Sequence, residues 1–199
     1  MVTPPADADD GSRRWLLRGA GAAAGGAAAL LIAACGGSHK LAAQTGTTTT
    51  PTTPEFHSRD IDVLNRLLEL EHIAVAAYTA GIPLLAPSAR MAGQLFLTQE
   101  LSHAGELSGL VRQAGGVAIK AREGYDLGHP RNADDVLKLL HELERSQIAA
   151  YLQAIPKVSM ASTRAALAAV MANDAQHISA LRSQLGRQPV PSALVTGHE

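Results

Sequence analysis

Apolar residues recur at spacings of three and four in four separate stretches of the chain, and each stretch predicts an amphipathic helix. The first stripe runs through Leu64, Leu67, Val75, Tyr78 and Ile82, the second through Phe96, Leu107 and Leu110. The third runs through Leu137, Leu140, Ile148 and Tyr151, the fourth through Leu167, Val170 and Leu181. Pro83, the pair Gly115 and Gly116, Pro156 and Gly186 stop these stretches, which places the helices at about 58–82, 87–114, 132–155 and 162–185. The turns after the first and third helices are short, whereas about 17 residues with Gly124, Gly128 and Pro130 separate the second from the third. A connection of that length can cross a bundle, so the pattern predicts an all-α four-helix bundle of two hairpins joined by a long crossover.

Each stripe is interrupted where a leucine would be expected. Glu71 breaks the first, Glu100 and His103 the second, Glu144 the third, and Asp174 and His177 the fourth. A buried, unpaired carboxylate takes up a proton or finds a partner, and even an unpaired buried hydroxyl or amide costs roughly 2 to 7 kcal/mol. Six such groups turned toward one core need compensation. Two divalent cations would bring about four positive charges to four carboxylates and two neutral imidazoles, leaving the cluster nearly neutral. The i, i+3 spacing of each carboxylate and histidine pair sets both side chains on one helix face, from which they reach ions lying along the bundle axis. These six residues are therefore candidate ligands of a two-metal site. Mixed carboxylate and imidazole donors suit iron, manganese and zinc.

An internal repeat agrees with this arrangement. Residues 69–83 and 142–156 align without a gap at an offset of 73, pairing Glu71 with Glu144, Tyr78 with Tyr151 and Pro83 with Pro156. At an offset of 74, Glu100 pairs with Asp174 and His103 with His177. Two hairpins related by a pseudo-twofold axis follow. Tyr78 and Tyr151 lie about two turns beyond Glu71 and Glu144 on the same face, and are candidate catalytic residues, either hydrogen-bonded to metal ligands or relaying electrons. Glu69, Glu142, His72, His141 and Glu106 are read as solvated, with Glu106 a spare carboxylate on the second helix.

Composition narrows the function. A net charge of −1 with scattered Lys and Arg argues against nucleic acid as a partner. Aromatic residues are only 3 % of the chain, so the core must come from Leu, Ile, Val and Ala. Before the helices, Arg13 and Arg14 precede an Ala/Gly-rich run that ends at Leu31, Ile32, Ala33, Ala34 and Cys35. This looks like a twin-arginine export signal followed by a lipoprotein cleavage box, with Cys35, the chain's one cysteine, as the lipid-attachment residue. A Thr/Pro-rich stretch, Thr47 to Pro54, then reads as a flexible tether. The expected organisation is an export signal and lipobox over 1–35, a linker over 36–58, the bundle over 59–188 and a tail over 189–199. A protein held by a lipid anchor on the outer side of the membrane is the implied location.

With these residues in view the chain resembles the ferritin-like superfamily, and more closely the secreted bacterial ferritin-like proteins related to plant desiccation-related proteins. The resemblance covers residues 60–186 and rests on the six ligand candidates, the two tyrosines and the crossover. It implies that Glu71, Glu100, His103, Glu144, Asp174 and His177 hold two ions of iron or manganese, and that metal ions and small oxidants are the reactants. Relatives store iron, oxidise ferrous iron, or reduce or disproportionate peroxide. Asp174 stands where the family pattern has Glu, and its shorter side chain would weaken the second metal position. The chain has no cysteine quartet for a rubredoxin-like centre, and a tethered subunit would not close easily into a cage. The reading from the residues is a di-metal oxidoreductase-like envelope protein. Its rival is a non-catalytic structural, binding or stress-protection lipoprotein in which the polar residues form a hydrogen-bonded network or hold one structural zinc.

Overall fold

The computed structural model describes residues 56–198, so the export signal, Cys35 and most of the tether lie outside the described residues. The chain forms four helices, α1 Ser58–Gly81, α2 Pro87–Gln113, α3 Ala133–Ala154 and α4 Ala161–Gln184, and no strands among the described residues. Every boundary falls within one residue of the expectation. Local chemistry explains the limits. Pro87 opens α2, where its missing N–H costs nothing, and the Asn132 side chain caps α3 by accepting from the Asp135 N–H at 2.9 Å. Gly115 ends α2 at φ 80°, and the Gly116 N–H closes onto the Val111 carbonyl at 2.9 Å. Gly186 and Arg187 repeat the device after α4, with the Arg187 N–H on the Arg182 carbonyl at 2.8 Å. Single 3-10 turns at Ile82–Leu84 and Ile155–Lys157 follow α1 and α3, so the two hairpins match even in how their first helices end.

Two apolar layers fill the bundle. One contains Leu64, Leu67, Leu68, Leu107, Val111 and Leu167, the other Ala77, Leu85, Phe96, Val136, Leu140 and Leu181. Helix α1 pairs with α2 and also with α3, and α3 pairs with α4. Gly81, at the end of α1, meets the start of α3 so closely that a Cβ there would lie 2.6 Å from Val136 Cγ1. End meets beginning, so α1 and α3 are antiparallel. The crossover therefore has to travel the length of α3, about 33 Å for 22 residues, which residues 114–132 span easily in extended form, with a reach of up to about 60 Å.

The crossover lies along α1. Asn65 donates to the Val117 carbonyl at 3.1 Å and accepts from the Ile119 N–H at 3.0 Å, Arg122 pairs with Glu69 at 2.6 Å, and His72 Nε2 lies 3.4 Å from the Ile119 carbonyl. Glu69 and His72, expected in solvent, are thus half-covered because the crossover passes over them. Glu142 and Glu106 are exposed as expected, but His141 is buried. It occupies the position that Leu68 fills in the first hairpin, which belongs to the core. Val75 and Ile82 are only half-buried, since the inward face of α1 passes through Ala74 and Ala77.

Asp60 ties the start of α1 to the connection between α3 and α4. Its buried carboxylate accepts from the His57 and Ser159 N–H groups, each at 3.2 Å, and from the Ser159 hydroxyl. Replacing Asp60 with Ala should cost about 1 to 3 kcal/mol of stability, the usual penalty for stranding buried donors, and leave metal binding unchanged. Denaturant unfolding alongside metal titration checks this, and an unchanged midpoint would remove the tie.

Candidate metal centre

Between the two apolar layers lies a polar one, and it contains all six sequence candidates. Glu71, Glu100, Glu144, Asp174 and His177 have no exposed surface, and His103 retains 8 %. Their helices pack for ordinary apolar reasons above and below, so the polar side chains are carried inward by the register of their own helices. His177 Nδ1 is 3.1 Å from both Glu100 Oε1 and Glu144 Oε1. His103 Nδ1 is 3.3 Å from Asp174 Oδ1, 3.6 Å from Glu100 Oε1 and 3.7 Å from Glu71 Oε2.

The donor atoms fall into two overlapping groups. Glu100, Glu144, Asp174 and His177 each offer an atom within 4.8 Å of the others, and so do Glu71, His103 and Asp174. Asp174 belongs to both. The shorter side chain that was expected to weaken the second position still reaches it, and supplies the carboxylate oxygen nearest His103. Both Asp174 oxygens, Glu100 Oε1, Glu144 Oε2 and His103 Nδ1 are buried without a hydrogen-bond partner. Such unpartnered buried atoms are rare because each loses its hydration without replacement, and carboxylate oxygens facing imidazole nitrogens suit a divalent cation.

The tyrosines cross between hairpins. Tyr78 on α1 donates to Glu144 Oε1 on α3 at 2.6 Å, and Tyr151 on α3 donates to Glu71 Oε1 on α1. Burial, reinforced by Glu144 beside Tyr78 and Glu71 beside Tyr151, pushes both phenols well above their ordinary value, so they remain donors.

Sequence reasoning missed two amides. Gln147 on α3 donates to Glu71 Oε2 at 3.0 Å and to Glu100 Oε2 at 3.1 Å, and Gln99 on α2 accepts from His177 Nε2 at 2.8 Å. The Gln99 contact keeps the proton of a neutral His177 on Nε2, which leaves Nδ1 free as a ligand. Gln147 was detectable as a polar residue three positions after Glu144, on the same face. Gln99 carried no such sign.

Comparison with known proteins gives a consistent picture. A family model described as Ferritin-like domain matches residues 59–187. Among solved structures, a conserved hypothetical protein from Mycobacterium tuberculosis superposes with a TM-score of 0.63 at 21 % identity, covering 69 % of this chain and 97 % of that one. A structure of ferritin-like, diiron-carboxylate proteins from Bacillus anthracis str. Ames superposes with a TM-score of 0.57 at 18 % identity, covering 64 % of this chain and 95 % of that one. No curated protein matches the chain.

The electrostatics of the layer set its proton content. Burial pushes Glu71 up to about 8 despite the opposing pull of His103, and Asp174 up to about 10 with the charges of Glu144, Glu71 and Glu100 adding to the rise. Glu144 moves up for the same first reason. For Glu100 burial also acts upward, but the facing imidazoles of His103 and His177 outweigh it and hold the group below the usual carboxylate range. Burial alone would lower both histidines. The facing carboxylates, Glu100 with Glu71 and Glu100 with Glu144, instead raise His103 to about 10 and His177 to about 9. Without metal the layer is therefore filled with protons, and metal must displace them.

These shifts have a definite sign. Glu71, Asp174, His103 and His177 all have folded values above their unfolded ones, so the folded chain binds more protons and its stability falls as pH rises through that interval. His141 works the other way: burial, then Arg187, Arg182 and Arg145, lower it from 6.5, so its contribution is essentially complete above pH 7. Chelator-treated protein should therefore melt at progressively lower temperature from pH 7 to 9, while loading with metal should release protons and abolish this slope. Thermal melts across that range, with proton release measured by calorimetry in two buffers, test both statements. A melting temperature that rises with pH in the chelated protein would contradict the assignment.

Proposed function

The chain belongs to the ferritin-like domain family, and we propose that its buried polar layer holds two ions of iron or manganese for reaction with oxygen or peroxide. The observation that carries this reading is the set of buried carboxylate and imidazole atoms without hydrogen-bond partners, arranged in two groups that share Asp174. Iron or manganese bound there would supply redox chemistry, the oxidation of ferrous ion or the reduction of peroxide. The chain's own residues supply the rest. Asp174 would serve both positions. Glu100, Glu144 and His177 would complete one, and Glu71 and His103 the other. Tyr78 and Tyr151 hold Glu144 and Glu71 in orientation and keep their phenolic protons at those carboxylates. The apolar layers on either side exclude bulk water, and the small exposed area of His103 makes its edge the nearest approach for an ion or a small oxidant.

A second reading is favoured by Gln147, which already satisfies one oxygen each of Glu71 and Glu100. In that case the layer is a hydrogen-bonded network in a structural envelope protein. Elemental analysis after anaerobic incubation with Fe(II) separates the two. About two ions per chain, falling to about one with His103→Ala, followed by oxygen consumption on exposure to air, is the expected result. Retention of near zero metal would leave the structural reading.

Export and anchoring rest on Arg13, Arg14 and Cys35. Attachment through lipid at Cys35 is the proposed route, supported by the Leu31 to Cys35 cleavage-box sequence. The full chain should fractionate with membranes and carry an acylated Cys35 detectable by mass spectrometry, and Cys35→Ser should move the protein to the soluble fraction. Membrane association unaffected by that substitution would rule out the lipid anchor.

A further inference from the structure

The pseudo-twofold axis relates the two halves of the polar layer, and three of its side-chain pairs break that symmetry. Gln147 on α3 corresponds to Ala74 on α1, Gln99 on α2 to Asn173 on α4, and Phe96 on α2 to Val170 on α4. All three differences act at the layer. The amide of Gln147 bonds Glu71 Oε2 and Glu100 Oε2, and Ala74 cannot make the corresponding bonds to Glu144 and Asp174. Gln99 accepts from His177 Nε2, whereas among the described residues nothing makes that bond to His103. The Phe96 ring stacks on His177 with centroids 4.1 Å apart, and Val170 offers no ring to His103.

These differences favour the same position. Around His177 there are four ligand residues, and Asp174 and Glu144 Oε2 are free of competing donors. The imidazole is oriented from behind and its face is covered. Around His103 there are three ligand residues, and both oxygens of Glu71 already accept a hydrogen bond, Oε1 from Tyr151 and Oε2 from Gln147, whereas the Gln147 bond to Glu100 Oε2 leaves Glu100 Oε1 open to the His177 position. His103 also keeps the only exposed surface of the six.

Building on the two-metal reading, we infer that the two positions are inequivalent by construction: the Glu100, Glu144, Asp174, His177 position binds first and tightly, and the Glu71, His103 position is the exchangeable one, weakened by Gln147. Gln147 and Gln99 are positioning residues that act through the carboxylates and the imidazole they contact. An ion that uses Glu71 Oε2 at the second position has to displace the Gln147 hydrogen bond to it, and an interaction of that kind corresponds to a difference of roughly tenfold in affinity.

The test is anaerobic titration of the full chain with Co(II), followed by calorimetry and by the visible absorption of the bound ion, neither of which depends on turnover. Two binding steps separated by at least about tenfold are expected, the tighter one spectroscopically complete before the weaker begins. Gln147→Met, which keeps the volume and removes the donors, should tighten the second step by roughly tenfold and change the first by less, because Glu100 keeps Oε1 open whether or not the amide holds Oε2. Gln99→Ala should weaken the first step by roughly 10- to 100-fold, the usual consequence of removing a histidine's supporting hydrogen bond, and leave the second unchanged. Two ions bound with equal affinity, or a Gln147→Met protein whose second step is unchanged or weaker, would overturn the inference while leaving the two-metal reading intact. Absence of any Co(II) binding by the folded protein would overturn both.

Discussion

Everything in this bundle depends on burying four carboxylates between two apolar layers without stranding them. A lone buried carboxylate would be neutralised and would destabilise the core, yet here Glu71, Glu100, Glu144 and Asp174 have no surface at all. They are tolerated because the layer takes up protons, because Glu71, Glu100 and Glu144 accept from a phenol or an amide while Asp174 faces the His103 imidazole, and because their oxygens converge on common space. The apolar layers set the helix spacing, and that spacing brings the polar atoms into range of one another. Polar layer and apolar layers therefore stand or fall together.

The crossed tyrosines show how tightly this constrains the topology. Tyr78 reaches Glu144 and Tyr151 reaches Glu71, so moving along α1 from Glu71 to Tyr78 means moving back along α3 from Tyr151 to Glu144. Only antiparallel helices in one register satisfy both bonds. A bundle that simply alternated direction would make α1 and α3 parallel, and then one tyrosine at most could meet a carboxylate. The long crossover is the cost of the antiparallel arrangement. Its polar anchors on Asn65 and Glu69 stop that segment from leaving α1 half bare.

How far the sequence could be read follows from what a helical period encodes. It gives the face of a helix, and so Glu71, Glu100, His103, Glu144, Asp174 and His177 could all be placed inward, with helix limits accurate to a residue. The period does not say what covers the opposite face. Glu69 and His72 looked solvated because nothing in their own helix shows that the crossover lies over them. It also leaves the width of the buried stripe undetermined. Val75 and Ala74 are adjacent, either one completes a three- or four-residue step from Glu71, and only the packing of the folded bundle selects the alanine. His141 was misread for a related reason: its charge suggested the surface, although the repeat's offset of 73, carried one residue further toward the N-terminus, aligns it with Leu68, fully buried. The repeat was the better guide there, since symmetry transfers burial from one hairpin to the other regardless of residue type.

That same symmetry explains why Gln147 and Gln99 were hard to find and why they matter. Pseudo-twofold pairs are conspicuous in a sequence because they match, and these two residues do not. A duplicated hairpin fixes ligand geometry through the backbone, so the positions of Glu71 and Glu144, or of His103 and His177, cannot be altered independently without disturbing the packing of both layers. The side chains that touch the ligands from behind are under no such restriction. An amide opposite an alanine, or a phenylalanine opposite a valine, changes the hydrogen bonding and covering of one half while both halves keep their helices and turns. In a fold whose scaffold is symmetric, the means of making two neighbouring positions behave differently therefore lies in the residues that break the repeat, one layer removed from the ligands themselves.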